Sequence, residues 1–236
     1  VLKLRAALAG TDPATLPEAL RDYLEMVARF NDGGPFKHYP GSPWIAHALM
    51  RPQDKLKLFE VHPTDGRLLT RNVEGLAAGK QVEVLRKNSF ESLKSLLPPP
   101  SRRGLVLMDP SYELKTDYDE VVATVLDALK RFPTGTYAIW YPVIARPEAH
   151  AMAKKLKTLS TQHQRAWVQA ELAVGHTPDG TPVKTGARPA TQMRASGMHI
   201  INPPFTLAAQ LREALPVVLS HLKGKVGAGW TVEHGG

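Results

Sequence analysis

Asp109, Pro110 and Tyr112 lie within four residues of one another at the end of a short apolar run, Gly104 to Met108. Met108 is the last apolar residue, which places Asp109 where a buried strand emerges at its carboxyl end. Open α/β sheets bind their ligands at that edge. Pro110 has no N–H for a strand ladder, so it ends the strand and fixes the exit direction. A carboxylate, a rigid turn and an aromatic ring held together suit a flat base with an amine on its edge. The carboxylate accepts one amine proton, the backbone carbonyl of the turn accepts the other, and Tyr112 stacks on the ring. The same spelling also serves an ordinary strand-ending turn, so the surroundings have to decide.

Three other places carry polar groups at element ends. Glu60 closes the apolar run that starts at Leu56, and an acid at such a strand tip accepts from ribose hydroxyls in nucleotide-binding sheets. A solvated strand-end carboxylate reads the same way. Asn88-Ser89 follows the next strand, where an adenine edge would lie, although both residue types also favour plain helix capping. Ser42, in Tyr39-Pro40-Gly41-Ser42-Pro43, sits at a helix start with its hydroxyl and nearby amides available, or caps that helix. A second strand-Pro motif, Asn202-Pro203-Pro204-Phe205, follows the apolar residues Met198 to Ile201. Arg102, Arg103, Lys115 and the loop bearing Lys184, Arg188 and Arg194 are candidate phosphate contacts. The histidines are scattered without metal-ligand spacing, so no metal site is expected.

The elements that must position these groups follow from periodicity. Strand-like runs fall at Leu56–Val61, Gln81–Leu85, Leu105–Asp109, Tyr137–Ile144, Trp167–Val174 and Met198–Asn202. The clearest helix is Tyr118 to Phe132, with Val121, Val122, Val125, Leu126 and Leu129 spaced for one face. Pro147 to Leu159 and Thr206 to Leu222 follow the same pattern. Strands alternating with helices predict a parallel or mostly parallel sheet. The Gly/Pro/Thr-rich stretch from Gly175 to Gly197 has no helical period and predicts an antiparallel pair at one sheet edge. On that layout the Asp109 strand is central and the Asn202 strand is peripheral, which favours Asp109 for chemistry. Asn202 to Phe205 then reads as a strand end capped by prolines. Before the sheet, Pro17 to Phe30 reads as a helix stopped by Asn31-Asp32-Gly33-Gly34-Pro35, and Trp44 to Met50 as another. The expected division is a helical subdomain over 1–52 and an α/β domain over 53–236.

The chain has 236 residues, 43% of them hydrophobic, which is enough for one large domain with a small subdomain. No apolar run approaches the length of a membrane helix, and Val1 to Arg5 are not followed by a signal-peptide core. Cysteine is absent, so disulfides and Cys-ligated metals are excluded, which fits a cytoplasmic protein. The net charge of +8 favours a polyanionic partner. Nucleic acid is preferred to membrane, because no amphipathic basic helix stands out.

The order strand, acid, proline, aromatic resembles the amino-methyltransferases that use S-adenosylmethionine. Tyr39-Pro-Gly-Ser-Pro43, Glu60-Val-His-Pro63, Ser101-Arg-Arg-Gly104, Asp109-Pro-Ser-Tyr-Glu-Leu-Lys-Thr-Asp-Tyr118, Ile139-Trp-Tyr-Pro142, Ala195-Ser-Gly-Met198 and Asn202-Pro-Pro204 occur in that order. Together they resemble the bacterial 23S ribosomal RNA adenine methyltransferases of the large-subunit methyltransferase J type, over nearly the whole chain. The resemblance implies a Rossmann-like α/β methyltransferase sheet with a helical insertion. It also implies methyl transfer from S-adenosylmethionine to the exocyclic amine of one adenine in 23S rRNA. By match of motif, Asp109 takes the catalytic acid position, while Ser42, Glu60, Asn88 and Ser89 fall on cofactor-contacting positions.

Three departures from the family pattern stand out. Ser111 replaces a second proline, and Asn88-Ser89 replaces Asp-Gly. The His-rich segment and Gly-rich strand-to-helix loop that open the family pattern are not found. The expectation is therefore an N-terminally truncated member whose first strand is missing and whose cofactor binding is weak. A non-catalytic RNA-binding module with the same fold is the alternative. A nicotinamide oxidoreductase is disfavoured, because no G-x-G-x-x-G follows a strand.

Overall fold

The computed structural model describes residues 2–8, 10–31, 37–176, 193–222, 224 and 226–236. The chain packs as two compact units, one of residues 1–21 with 97–236 and the other of residues 22–96. This grouping places the first two strands with the early helices, whereas the sequence suggested a boundary after residue 52.

In the smaller unit, the helix α2 (Glu18–Arg29) runs in from the preceding residues, and α3 (Ser42–Leu49) precedes the strand β1 (Leu56–Phe59). Helix α4 (Pro63–Glu74) then leads to β2 (Val82–Leu85) and the short α5 (Ser89–Leu93). β1 and β2 pair in parallel, Leu56 opposite Val82 and Phe59 opposite Leu85. Asn31 ends α2 by using its whole amide. Its nitrogen donates to the Val27 and His38 carbonyls at 3.1 and 2.8 Å. Its oxygen accepts from the Lys37 and His38 amides at 2.7 and 2.9 Å. Asp32 to Pro35, expected to share in that stop, lie outside the described residues.

In the larger unit, β3 (Leu105–Met108), α6 (Lys115–Arg131), β4 (Thr136–Val143) and α7 (Pro147–Gln162) follow in turn. β5 (Trp167–His176), β6 (Ala195–Ile201), α8 (Leu207–Leu222) and β7 (Val226–Gly235) complete it. The five strands form one sheet in the order β3-β4-β6-β5-β7. β3 and β4 are parallel, with Met108 opposite Ile139. β4 with β6, β6 with β5 and β5 with β7 are antiparallel. Tyr118, Val121, Val125 and Leu129 of α6 and Met152 and Leu156 of α7 are buried with Tyr137, Ile139 and Tyr141 of β4. The short α1 (Leu2–Ala7) packs on α8, which covers β5 and β7.

Three expectations are corrected. Within the five-stranded sheet, β3 is a terminal strand and β6 an interior one, the reverse of the layout expected. The sheet is mixed, because β6 returns antiparallel between two strands that share a direction. β7 was not foreseen at all. Gly227, Gly229 and Gly235 interrupt its sequence, and glycine weakens the local strand signal. Its pairing with β5, from Trp167 opposite Gly235 to His176 opposite Val226, overrides that weakness. β5 and β6 pair antiparallel as expected, but inside the sheet and not at its edge, because β7 lies beyond β5; β5 also continues to His176.

Candidate functional site

The parallel pair β3/β4 sets the candidate catalytic edge. Since Met108 is opposite Ile139, Asp109 emerges beside Trp140 at the carboxyl end of β3, while β4 runs on to Val143. Asp109 meets water on one side while protein crowds the other, and that desolvation pushes its carboxyl above its ordinary value. Pro110 is half-buried and Ser111 exposed. Tyr112 takes a left-handed backbone at φ +54, uncommon for a non-glycine residue, and two bonds hold it there. Its hydroxyl donates to the Trp140 carbonyl at 2.6 Å. Its own carbonyl accepts from Arg146 Nη1 at 3.4 Å.

The expected role of Tyr112 as a stacking platform is corrected by its burial. The side chain is 3% exposed, with the Tyr118 ring centroid at 4.8 Å and the Trp140 centroid at 6.1 Å. Burial first, and then the neighbouring Asp109 charge, push its phenol upward, so it stays a donor. Tyr112 is the plug under the turn that presents Asp109 and Pro110. Leu114 and Asp117 finish that turn, because the Asp117 carboxylate accepts from the Leu114 N–H at 3.2 Å as α6 begins.

Sequence reasoning assigned no role to Trp140, Ser196, Gly197 or Arg146. The blocks Ile139–Pro142 and Ala195–Met198 prove to be register partners, with Trp140 opposite Met198 and Tyr141 opposite Gly197. The Trp140 indole donates to Ser196 Oγ at 2.7 Å, and a Cβ on Gly197 would collide with the Tyr141 ring. Two separated motifs with complementary sizes, a bulky pair and a small pair, were the signal for that pairing. Arg146 carried none beyond its place before the helix-starting Pro147.

The second strand-Pro motif ends up elsewhere. β6 runs against β4, with Ile201 opposite Tyr137, so Asn202 lies where β3 and β4 begin, at the opposite edge from Asp109. Its side-chain nitrogen donates to the Pro133 and Gly135 carbonyls at 2.9 and 2.7 Å. Its backbone N–H donates to Ala166 at 2.8 Å. The amide is consumed in holding the α6–β4 connection, the capped strand end that the sequence suggested. Phe205 is 97% exposed.

In the smaller unit, parallel pairing brings Glu60 and the residues after β2 to one edge, and the Glu60 N–H reaches the Leu85 carbonyl at 3.2 Å. Glu60 Oε1 accepts from the His62 N–H at 2.8 Å, so its second oxygen remains for a ligand. Asn88 caps α5 through Oδ1, which accepts from the Phe90 N–H at 2.9 Å, so its NH2 group is not used in the cap, and Ser89 is exposed. Ser42 does not cap α3. Gly41 holds the cap position, and the Ser42 side chain is exposed.

The basic candidates separate by edge. Lys115 begins α6 beside the Asp109 turn and pairs with Glu148 at 2.8 Å, which holds the Glu148 carboxyl below its ordinary value. The Arg194 N–H donates to the Val143 carbonyl at 2.8 Å, placing Arg194 at the carboxyl end of β4. Arg102 and Arg103 are exposed but precede β3, at the edge opposite Asp109, so they are not brought together with it. Lys184 and Arg188 lie outside the described residues. Among the described residues no His/Cys/Asp/Glu group could hold a metal ion, and no helix is long and apolar enough to cross a membrane.

The chain as a whole is similar to known proteins. Residues 10–234 match the family model described as Ribosomal RNA large subunit methyltransferase D, RlmJ. The Haemophilus influenzae protein named Ribosomal RNA large subunit methyltransferase J is 43% identical over 223 residues, 94% of this chain and 74% of that protein. The Escherichia coli protein of the same name is 42% identical over 207 residues, 88% of this chain and 68% of that protein. A crystal structure of a Legionella pneumophila protein superposes with a TM-score of 0.78 at 29% identity, covering 95% of this chain and 79% of that one. The chain belongs to the ribosomal RNA large subunit methyltransferase family described as methyltransferase D, RlmJ.

Proposed function

We propose that this protein methylates the exocyclic amine of an adenine in 23S rRNA, with S-adenosylmethionine as donor. The observation that carries the reading is Asp109, a carboxylate raised by desolvation at the tip of a parallel strand and followed by Pro110. An adenine amine is a poor nucleophile, because its lone pair is delocalised into the ring. Asp109 accepts one amine proton and the Pro110 carbonyl accepts the other. Holding both draws the nitrogen toward a tetrahedral shape and frees its lone pair. Most of the rate then comes from alignment, and the proton lost from the methylated amine leaves through Asp109 to water. Tyr112, buried and bonded to Trp140, keeps the turn from relaxing.

The donor set at the other strand tips fits a nucleoside cofactor. Glu60 has an oxygen left for ribose hydroxyls, Asn88 and Ser89 have donors left for an adenine edge, and Ser42 offers a hydroxyl at a helix start. S-adenosylmethionine supplies an electrophilic methyl group. Lys115 and Arg194, with Lys184 and Arg188, supply phosphate contacts. A 23S rRNA substrate implies a cytoplasmic protein.

The test is transfer of labelled methyl from S-adenosylmethionine to 23S rRNA lacking the modification, followed by digestion to nucleosides. Label in N6-methyladenosine supports the reading. Tight RNA binding with no cofactor binding and no label favours the non-catalytic RNA-binding module.

A further inference from the structure

Helix α7 carries His150, Lys154 and Lys157 at spacings of four and three, which puts them on one face of the helix. That face walls a cavity of about 670 Å³, within the range of small-molecule sites. Its floor is Tyr141, Gln169 and Glu171, and the carboxyl end of β4 forms its edge at Pro142 and Val143. The floor is fixed. Tyr141 lies over the bare backbone of Gly197, is 2% exposed, and donates its hydroxyl to Glu171 Oε1 at 2.9 Å. Burial, and then the Glu171 charge, push the Tyr141 phenol upward, so it remains the donor. Gln169 is locked as well, its oxygen 3.3 Å from His199 Nδ1. The wall is not fully committed. Lys157 pairs with Glu233 at 2.7 Å, whereas His150 and Lys154 form no ion pair among the described residues.

The cavity therefore has a positioned carboxylate at its base, and a lysine and an imidazole without ion-pair partners among the described residues on its wall. A ligand that matches both has adjacent N–H donors at one end and a phosphate at the other. Guanosine 5′-phosphate has that form, because its N1–H and N2 amine present neighbouring donors to a carboxylate. Adenine places an acceptor, N1, next to its amine, and a carboxylate repels it. Glu171 lies three strand spacings from Asp109, about 14 Å across the sheet. A strand of RNA presenting one base to Asp109 can reach it with a flanking nucleotide.

We propose that this cavity is a second nucleotide subsite, which takes a guanosine flanking the target, with Glu171 reading the base edge and Lys154 and His150 holding the phosphate. The proposal rests on rRNA being the substrate, but its test does not need methyl transfer. Binding of 5′-GMP and 5′-AMP to the whole chain is measured by calorimetry, and by NMR shifts of the α7 amides. GMP is expected to bind at least about tenfold more tightly than AMP, the discrimination of a bidentate pair. Glu171→Gln should erase that preference, and Lys154→Ala should weaken both nucleotides while keeping it. In methylation assays both variants should raise KM for rRNA and leave kcat unchanged. Equal binding of GMP and AMP, or shifts outside α7, β5 and the carboxyl half of β4, overturns the subsite even if methylation is intact. A GMP preference without methylation keeps the subsite and sinks the catalytic reading instead.

Discussion

Asp109 and Asn202 each end an apolar strand, each precede proline, and each could hold an amine, yet the fold uses them oppositely. Asp109 leaves β3 at the carboxyl edge of a parallel pair, partly in water, with its turn braced by Tyr112 and Arg146. Asn202 leaves β6, which runs the other way, and both protons of its side-chain amide go to backbone carbonyls at the start of β4. A side chain pinned through both amide protons at the start of β4 serves as a brace for the α6–β4 connection. Strand direction decides between the motifs, and the second proline that Asn202-Pro203-Pro204 has and Asp109-Pro110-Ser111 lacks does not.

The largest expected effect is at Asp109. Removing a preorganised acceptor of this kind costs about 10²–10³-fold in rate, so Asp109→Ala should lose methyl transfer to that extent. Its circular dichroism and unfolding transition should match the parent. A variant that loses activity only as it loses its fold would take Asp109 out of the chemistry.

Asn202→Ala should invert that pattern. Two carbonyls lose their donor, which costs about 1–3 kcal/mol, and alanine at φ +51 adds left-handed strain of about 1 kcal/mol. Thermal unfolding should shift down clearly, while the rate per folded molecule stays near that of the parent. A stable but inactive Asn202→Ala would reverse the assignment of the two edges.

Asn202 reads as structural from a layout that the fold reverses, and Tyr112 is misread because its burial is set at long range. Element ends depend on nearby residues. The helices around Val121 and Met152, the strands at Leu105 and Tyr137, and the cap at Asn88 could all be read from local pattern. Burial of Tyr112 depends on Tyr118, Trp140 and Arg146, which converge only after α6 and β4 have packed. The interior place of β6 depends on its pairing with both β4 and β5, which no local pattern reveals, and the glycines of β7 conceal the strand beyond β5. The paired sizes of Trp140-Tyr141 and Ser196-Gly197 carried the register, but only pairing the strands exposes that they match.

A third effect separates the edges through charge. RNA affinity should fall with salt at a slope of about −0.7 per phosphate contacted on single-stranded RNA. Replacing Lys184, Arg188 and Arg194 with alanine should flatten it. The same replacement at Arg102 and Arg103, at the Asn202 edge, should leave it nearly unchanged. Equal flattening by both sets would bring Arg102 and Arg103 into the RNA contact.

The smallest effect is on stability against pH. The Asp109 carboxyl is raised by desolvation, so the folded chain holds that proton more readily than the unfolded chain. The stability this contributes is complete below the ordinary carboxylate value and is lost as pH rises through the raised one. Asp109→Asn should therefore unfold at a slightly higher temperature than the parent near neutral pH, and the gap should close in acid. A gap of opposite sign would mean that the carboxylate is stabilised where it stands.

The most direct test of the assignment is the single-turnover rate of methyl transfer to unmodified 23S rRNA, measured side by side for Asp109→Ala and Asn202→Ala and corrected for folded fraction. Asp109→Ala should run at no more than about one hundredth of the Asn202→Ala rate. A ratio near one, or one favouring Asp109→Ala, would contradict the placement of the chemistry at the carboxyl edge of β3.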